Sequence, residues 1–186
     1  MANRNDGIQY ADDDVTPVKR LLRMRFPSLM IGLVLGIALS FLTSRFEEVL
    51  AADVRIAFFL PFIVYMAAAV GSQTGTIYTR DLKEGKANFK TYLFKETILG
   101  IIIGVSTSLL TFGLIRLVFR SMDLALAVSL GMLAAIVSAP IIALVVTELL
   151  EIEHTDPAVG EGPIATVIQD TFSILIYGLI ATAIIL

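Results

Sequence analysis

Asp170 lies in a largely apolar run from Ile164 to Leu186, with Thr166 ahead of it and Ser173 and Tyr177 behind, at i, i+4, i+7 and i+11. On a helix these four positions form one stripe carrying a carboxylate and three hydroxyls. An aspartate at the centre of a membrane-spanning helix costs about 2.5–3.5 kcal/mol on insertion scales, so it faces a cavity, a cation or a partner and not lipid. Oxygen-only ligands suit hard cations. Magnesium takes octahedral oxygen at about 2.0–2.1 Å and keeps several waters, so a few carboxylates in a wet cavity suffice. Two symmetry-related Asp170 side chains would hold a hydrated dication; the alternative is that Asp170 pairs with an arginine or a polar cluster for packing alone.

The segment ahead of Asp170 reads as a helix start at a membrane surface. Asp156 is suited to the N-cap and Pro157 to the first helical position, since proline has no N–H to lose there. Fourteen residues separate the two aspartates. At 1.5 Å per residue Asp170 lies about 21 Å along an unbroken axis, well inside a hydrocarbon layer about 30 Å thick. Gly160, Gly162 and Pro163 are positions where that path could shorten or kink.

A second polar string, Gly71-Ser72-Gln73-Thr74-Gly75-Thr76, interrupts another apolar run, and Ser72 and Thr76 share a helix face. Small and hydroxylated residues also serve helix packing, so the string alone leaves both readings open. The acidic stretch Glu148, Glu151, Glu153, Asp156 and Glu161 is equally a vestibule that concentrates cations or a solvated loop. His154 reads as a solvated loop residue. No Ser/His/Asp set, phosphate loop or zinc spacing is present, and the absence of cysteine excludes disulfides and thiolate chemistry. The chain is expected not to be an enzyme.

These residues need elements to position them. With 56% hydrophobic and 17% charged residues in a 186-residue chain of mean hydropathy +0.84, the class is an all-α membrane protein. Five spans are expected, at about 26–44, 56–79, 97–119, 124–146 and 157–186, with span 2 interrupted by Pro61 and with Gly32-x-x-x-Gly36 and Gly100-x-x-x-Gly104 as candidate helix contacts. Residues 1–25 form a polar N-terminal tail without a cleavable signal, and 26–186 the five-helix transmembrane domain. Lipid is therefore one partner; no nucleic-acid patch is evident.

Lys and Arg concentrate in the tail and in the loop after span 2. The positive-inside rule then puts the N-terminus in the cytoplasm and the C-terminus outside a cell (inner or plasma) membrane. No internal repeat pairs two halves of the chain, so a pore is more naturally built between subunits, which predicts a homodimer or a related partner chain.

The run Met66-Ala67-Ala68-Ala69-Val70-Gly71-Ser72-Gln73 ending at Arg80, Lys95-Glu96 entering span 3, Pro140 in span 4, and Asp156-Pro157-Ala158-Val159 with Gly162-Pro163, Thr166, Asp170 and Tyr177 together resemble the transmembrane domain of MgtE-type magnesium transporters. The likeness covers roughly residues 20–186. It implies five helices per subunit, a homodimer, and a magnesium-selective, channel-like pore at the dimer interface lined by helices 2 and 5. By matched position Asp170 resembles the family's central pore aspartate, Thr166, Ser72 and Thr76 its neighbours around a hydrated ion, and Asp156 an acidic residue near the cytoplasmic mouth.

Two departures from the pattern stand out. Ala67-Ala68-Ala69 replaces the family's usual Gly-Gly-Asn, removing part of the polar lining of span 2, and only about 25 residues precede span 1, too few for the usual cytoplasmic sensing domains. The expected function is transport of Mg2+ or a related divalent cation through a wet pore. The rivals are an exchanger coupled to sodium or protons and a non-conducting accessory subunit.

Overall fold

The computed structural model describes residues 14–152 and 157–186, with side chains through 149 and again from 165. It consists of α1 (Val18–Thr43), a 3-10 turn (Ser44–Phe46), a short α2 (Glu47–Ala52), α3 (Arg55–Lys83), α4 (Phe89–Phe119), α5 (Met122–Ile152) and α6 (Pro157–Ile185). Among the described residues five helical spans are long and apolar enough to cross a membrane, as expected. The helices overrun the expected spans because the backbone stays helical through polar flanks that carry the exposed Lys83 and Lys90.

Local chemistry fixes the ends. Asp53 closes the entry to α3 by accepting from Arg55 N at 3.0 Å and from its Nε and Nη2 at 2.7 and 2.6 Å. The Arg55 guanidinium holds the Asp53 carboxyl below the usual carboxylate range. Gly85, at φ +68°, turns the chain out of α3. Asn88 then caps α4 by accepting from Thr91 N at 3.1 Å. Pro61 does not interrupt α3, and Pro27 and Pro140 likewise lie inside continuous helices; α6 also continues through Gly160, Gly162 and Pro163. Span 2 is therefore one helix, a correction to the expected break.

Helix α5 is the centre of the bundle, with α3, α4 and α6 packed on it. Its small residues make this possible: Ala125, Ala127, Ala135 and Ala139 are fully buried beside Leu124, Val128, Met132 and Ile136. Gly100 of α4 meets Pro140, where an added Cβ would sit 3.0 Å from the ring, and Gly104 meets Leu133 and Val137 at 3.2 Å. The expected contact motif in span 3 is thus a packed seam. In span 1, by contrast, a Cβ on Gly36 would meet nothing within 4 Å. Helix α1 leans on α6 and is otherwise open, while Leu109, Leu110, Leu114, Leu117 and Val118 give α4 an outer apolar face suited to lipid.

Candidate ion-binding site

Asp170 lies on α6, half-buried, and its Oδ1 is enclosed without a hydrogen-bond partner. No described residue forms an ion pair with it, so the pairing with an arginine weighed from sequence is not what the fold provides. The neighbouring Gln169 is 4% exposed; its Nε2 donates to Ala135 O at 3.4 Å and to Ser173 Oγ at 3.2 Å, and its Oε1 is likewise buried and unpartnered. Two adjacent residues of one helix thus carry enclosed acceptor oxygens with no donor from the described residues. Such groups cost about 1–3 kcal/mol each, and more when charged, unless something outside the fold satisfies them.

The four-residue stripe expected on α6 divides in two. Thr166 is exposed beside the half-buried Asp170, whereas Ser173 and Tyr177 are 0% and 1% exposed. Ser173 Oγ donates to Gln169 O at 2.8 Å, and Tyr177 OH donates to Ile56 O at 2.9 Å, joining α6 to the start of α3. Periodicity placed these hydroxyls on one face correctly, but the core uses two of them.

Ser72 and Thr76 are both exposed, on the side of α3 turned away from its own core, together with Phe58, Phe62 and Tyr65. Gln73 is exposed too. No described helix covers this polar row. Thr74, between them in sequence, is buried on the opposite side. Helices α3 and α6 are in contact, so the described members of the expected set, Asp170, Thr166, Ser72 and Thr76, lie on two adjoining helices at or near the open surface. Asp156 and His154 lie outside the described residues.

Among the described residues no three of His, Cys, Asp and Glu converge. The donors that are present are oxygens, which fits a hydrated hard cation held by a carboxylate and hydroxyls. A cavity of about 330 Å³ between α1 and α6, bordered by Leu35, Leu39, Leu42, Val167, Thr171 and Phe172, is almost wholly apolar and unsuited to an ion.

From sequence Glu96 entered only through the family resemblance and Glu148 only as part of the acidic stretch, while Gln169 and Tyr78 were not singled out. Thr74 donates to Glu96 Oε2 of α4 at 2.7 Å, and Tyr78 OH donates to Glu148 Oε2 of α5 at 2.6 Å. The available signal was spacing: Thr74 and Tyr78 are four apart, like Ser72 and Thr76, but fall on the other side of α3.

Residues 60–180 match the family model described as MgtE, divalent cation transporter. The chain is 31% identical over 169 residues to the magnesium transporter MgtE of Bacillus subtilis, covering 87% of this chain and 36% of that protein. To the magnesium transporter MgtE of Enterococcus faecalis it is 27% identical over 179 residues, covering 95% of this chain and 39% of the relative. The MgtE of Thermus thermophilus is 26% identical over 161 residues, 84% of this chain and 35% of its own length. The chain thus spans less than two-fifths of the curated relatives it matches. With a family match over most of its length and five apolar helices to carry it, the chain is a multi-pass membrane protein belonging to the MgtE family of divalent cation transporters.

Proposed function

We propose that this chain moves Mg2+ across a cell membrane as a homodimer, through a water-filled path between the α3 and α6 helices of the two copies. The observation that carries the reading is the enclosed, unpartnered Oδ1 of Asp170 on a helix apolar enough to span the bilayer. An intramembrane carboxylate without an internal partner needs water and a cation, and a second copy covering the exposed Ser72/Thr76 row provides a wet space for both. The relatives, named magnesium transporters, point to the same cargo.

In this reading Mg2+ passes largely hydrated, because it sheds water reluctantly. The two Asp170 carboxylates set the central site electrostatically, and Thr166, Ser72 and Thr76 accept from or donate to the ion's water shell. Asp156 belongs at the cytoplasmic mouth. The basic tail and α3–α4 loop face the cytoplasm, the C-terminus faces outward, and residues 1–25 precede a transport domain at 26–186. The chain carries out no chemical conversion.

The test is Mg2+ uptake by the purified chain in liposomes, followed with a trapped magnesium indicator. Downhill uptake that a potential accelerates and that needs neither a sodium nor a proton gradient is expected. Strict dependence on either gradient would make the protein a coupled exchanger, and absence of flux together with capture of a second membrane protein would make it an accessory subunit.

A further inference from the structure

Two hydroxyl-to-carboxylate hydrogen bonds grip α3 from the side opposite its exposed polar row. Thr74, 2% exposed, donates to Glu96 Oε2 on α4 at 2.7 Å, with Val70 O at 3.2 Å as a weaker second acceptor. One turn on, Tyr78, 1% exposed, donates to Glu148 Oε2 on α5 at 2.6 Å and packs edge-to-face on Tyr92 and Phe89. At 100° per residue Thr74 is about 200° around the helix from Ser72, and Tyr78 is about 200° from Thr76.

The contacts around these bonds make them informative. The α4 backbone packs chiefly on α5, so α3 and α4 meet mainly through side chains: Tyr78 lies against Phe89 and Tyr92, Tyr92 OH donates to Asp81, and the Thr74–Glu96 bond adds a further directional link. On α3 the residues beside it are small: Gly71, Thr74 and Gly75 are buried where the helix meets its neighbours. A seam of small residues allows close approach but by itself resists rotation weakly, so around Gly71 to Gly75 the orientation falls to the Thr74 bond and to the buried Tyr78 one turn on. A turn of about 100° would replace Ser72 and Thr76 on the outer face by Gln73 and Ile77, or by Gly71 and Gly75. A hydrogen bond to a carboxyl oxygen is directional, which apolar contact between small residues is not.

From this arrangement we infer that Glu96 and Glu148 are positioning residues: through Thr74 and Tyr78 they set the rotation of α3 and thereby which of its side chains face the ion path. The inference rests on the pore reading for its functional consequence but not for its geometric one. Glu96 and Glu148 act as hydrogen-bond acceptors in this role, so an amide in place of either carboxylate should preserve it. A carboxylate serving as a cation ligand would not survive that change.

The experiment uses the full chain, which has no native cysteine. An added Cβ at Gly71 would lie 3.7 Å from Ala139 Cβ, within the range a disulfide requires, so the pair Gly71→Cys and Ala139→Cys reports α3 rotation against α5 inside one subunit. Oxidative cross-linking of this pair is compared in the parent, in Thr74→Val with Tyr78→Phe, and in Glu96→Gln with Glu148→Gln, alongside Mg2+ uptake for each pair of substitutions without the reporter cysteines.

Cross-linking and uptake are expected to fall about 25-fold in the Val/Phe variant, two hydrogen bonds at about fivefold each on an equilibrium, and to stay near parental in the Gln variant. Unchanged cross-linking in the Val/Phe variant would overturn the inference, as would a Gln variant as impaired as the Val/Phe one. Cross-linking that falls and recovers as expected in a chain that never passes Mg2+ would uphold the clasp and refute only the transport reading.

Discussion

Replacing Asp170 with asparagine is expected to lower Mg2+ uptake by about 100-fold or more while leaving a folded protein. Asparagine nearly matches the shape of the carboxylate and Asp170 forms no ion pair in the fold, so its loss removes charge without breaking a described bond. The consequence for the ion is large, because hydrogen bonds to charged groups contribute about 1.5–3 kcal/mol, and two copies would each lose such contacts to the ion's water shell. A loss of about 3 kcal/mol corresponds to about 100-fold. Folding should be unaffected or improved, since a neutral amide is less costly than a carboxylate within a bilayer. Uptake into liposomes and the elution volume in detergent check the two halves separately. Near-normal uptake by a well-folded Asp170→Asn protein would remove Asp170 from the mechanism.

The second large effect lies in the core beneath the site. A Cβ on Gly131 of α5 would stand 2.6 Å from Tyr177 Cδ2 on α6, and Tyr177 cannot retreat easily: it is 1% exposed and tied by its hydroxyl to Ile56 O at 2.9 Å. Overpacking of this kind costs about 1–3 kcal/mol, so Gly131→Ala should melt several degrees earlier in detergent and Gly131→Leu should fail to yield a folded protein. Tyr177 lies two turns beyond Asp170 on the same helix, so forcing α6 away from α5 also displaces the carboxylate. Gly131→Ala is therefore expected to reduce uptake beyond what lost protein explains. A Gly131→Leu chain as stable as the parent would show that the α5–α6 contact is looser than its geometry implies.

How far the chain could be read in advance depended on which physical signal each feature leaves. The five spans were legible because uninterrupted apolarity over about 20 residues is a strong signal. Their ends were not, since charged residues prolong each helix at little cost. Proline misled at position 61: a spanning helix tolerates it where neighbours satisfy the freed carbonyl, and α3 runs through unbroken. The two Gly-x-x-x-Gly pairs looked alike on paper. Gly100 on α4 met a partner, Pro140, and Gly36 on α1 did not, because the partner's shape is encoded on another helix.

The same limit applies at the site. Asp170 and Thr166 stood out as a polar pair in an apolar run, and Ser72 and Thr76 by their spacing; all four lie at or near the open surface. Ser173 and Tyr177 share the Asp170 face by periodicity, yet the core claims them, since depth along a helix decides whether a face meets a neighbour. Gln169, the next residue in sequence, went unnoticed, although its Oε1 is enclosed and unpartnered like the Oδ1 of Asp170.

The most direct test places a single cysteine at the centre of the proposed path. In the chain carrying only Asp170→Cys, reconstituted in liposomes, the thiol should react with membrane-impermeant, water-soluble reagents, and oxidation should join two copies into a covalent dimer. A thiol that reacts only with lipid-soluble reagents and never bridges two copies would mean that position 170 faces hydrocarbon within one subunit, contradicting the account at its centre.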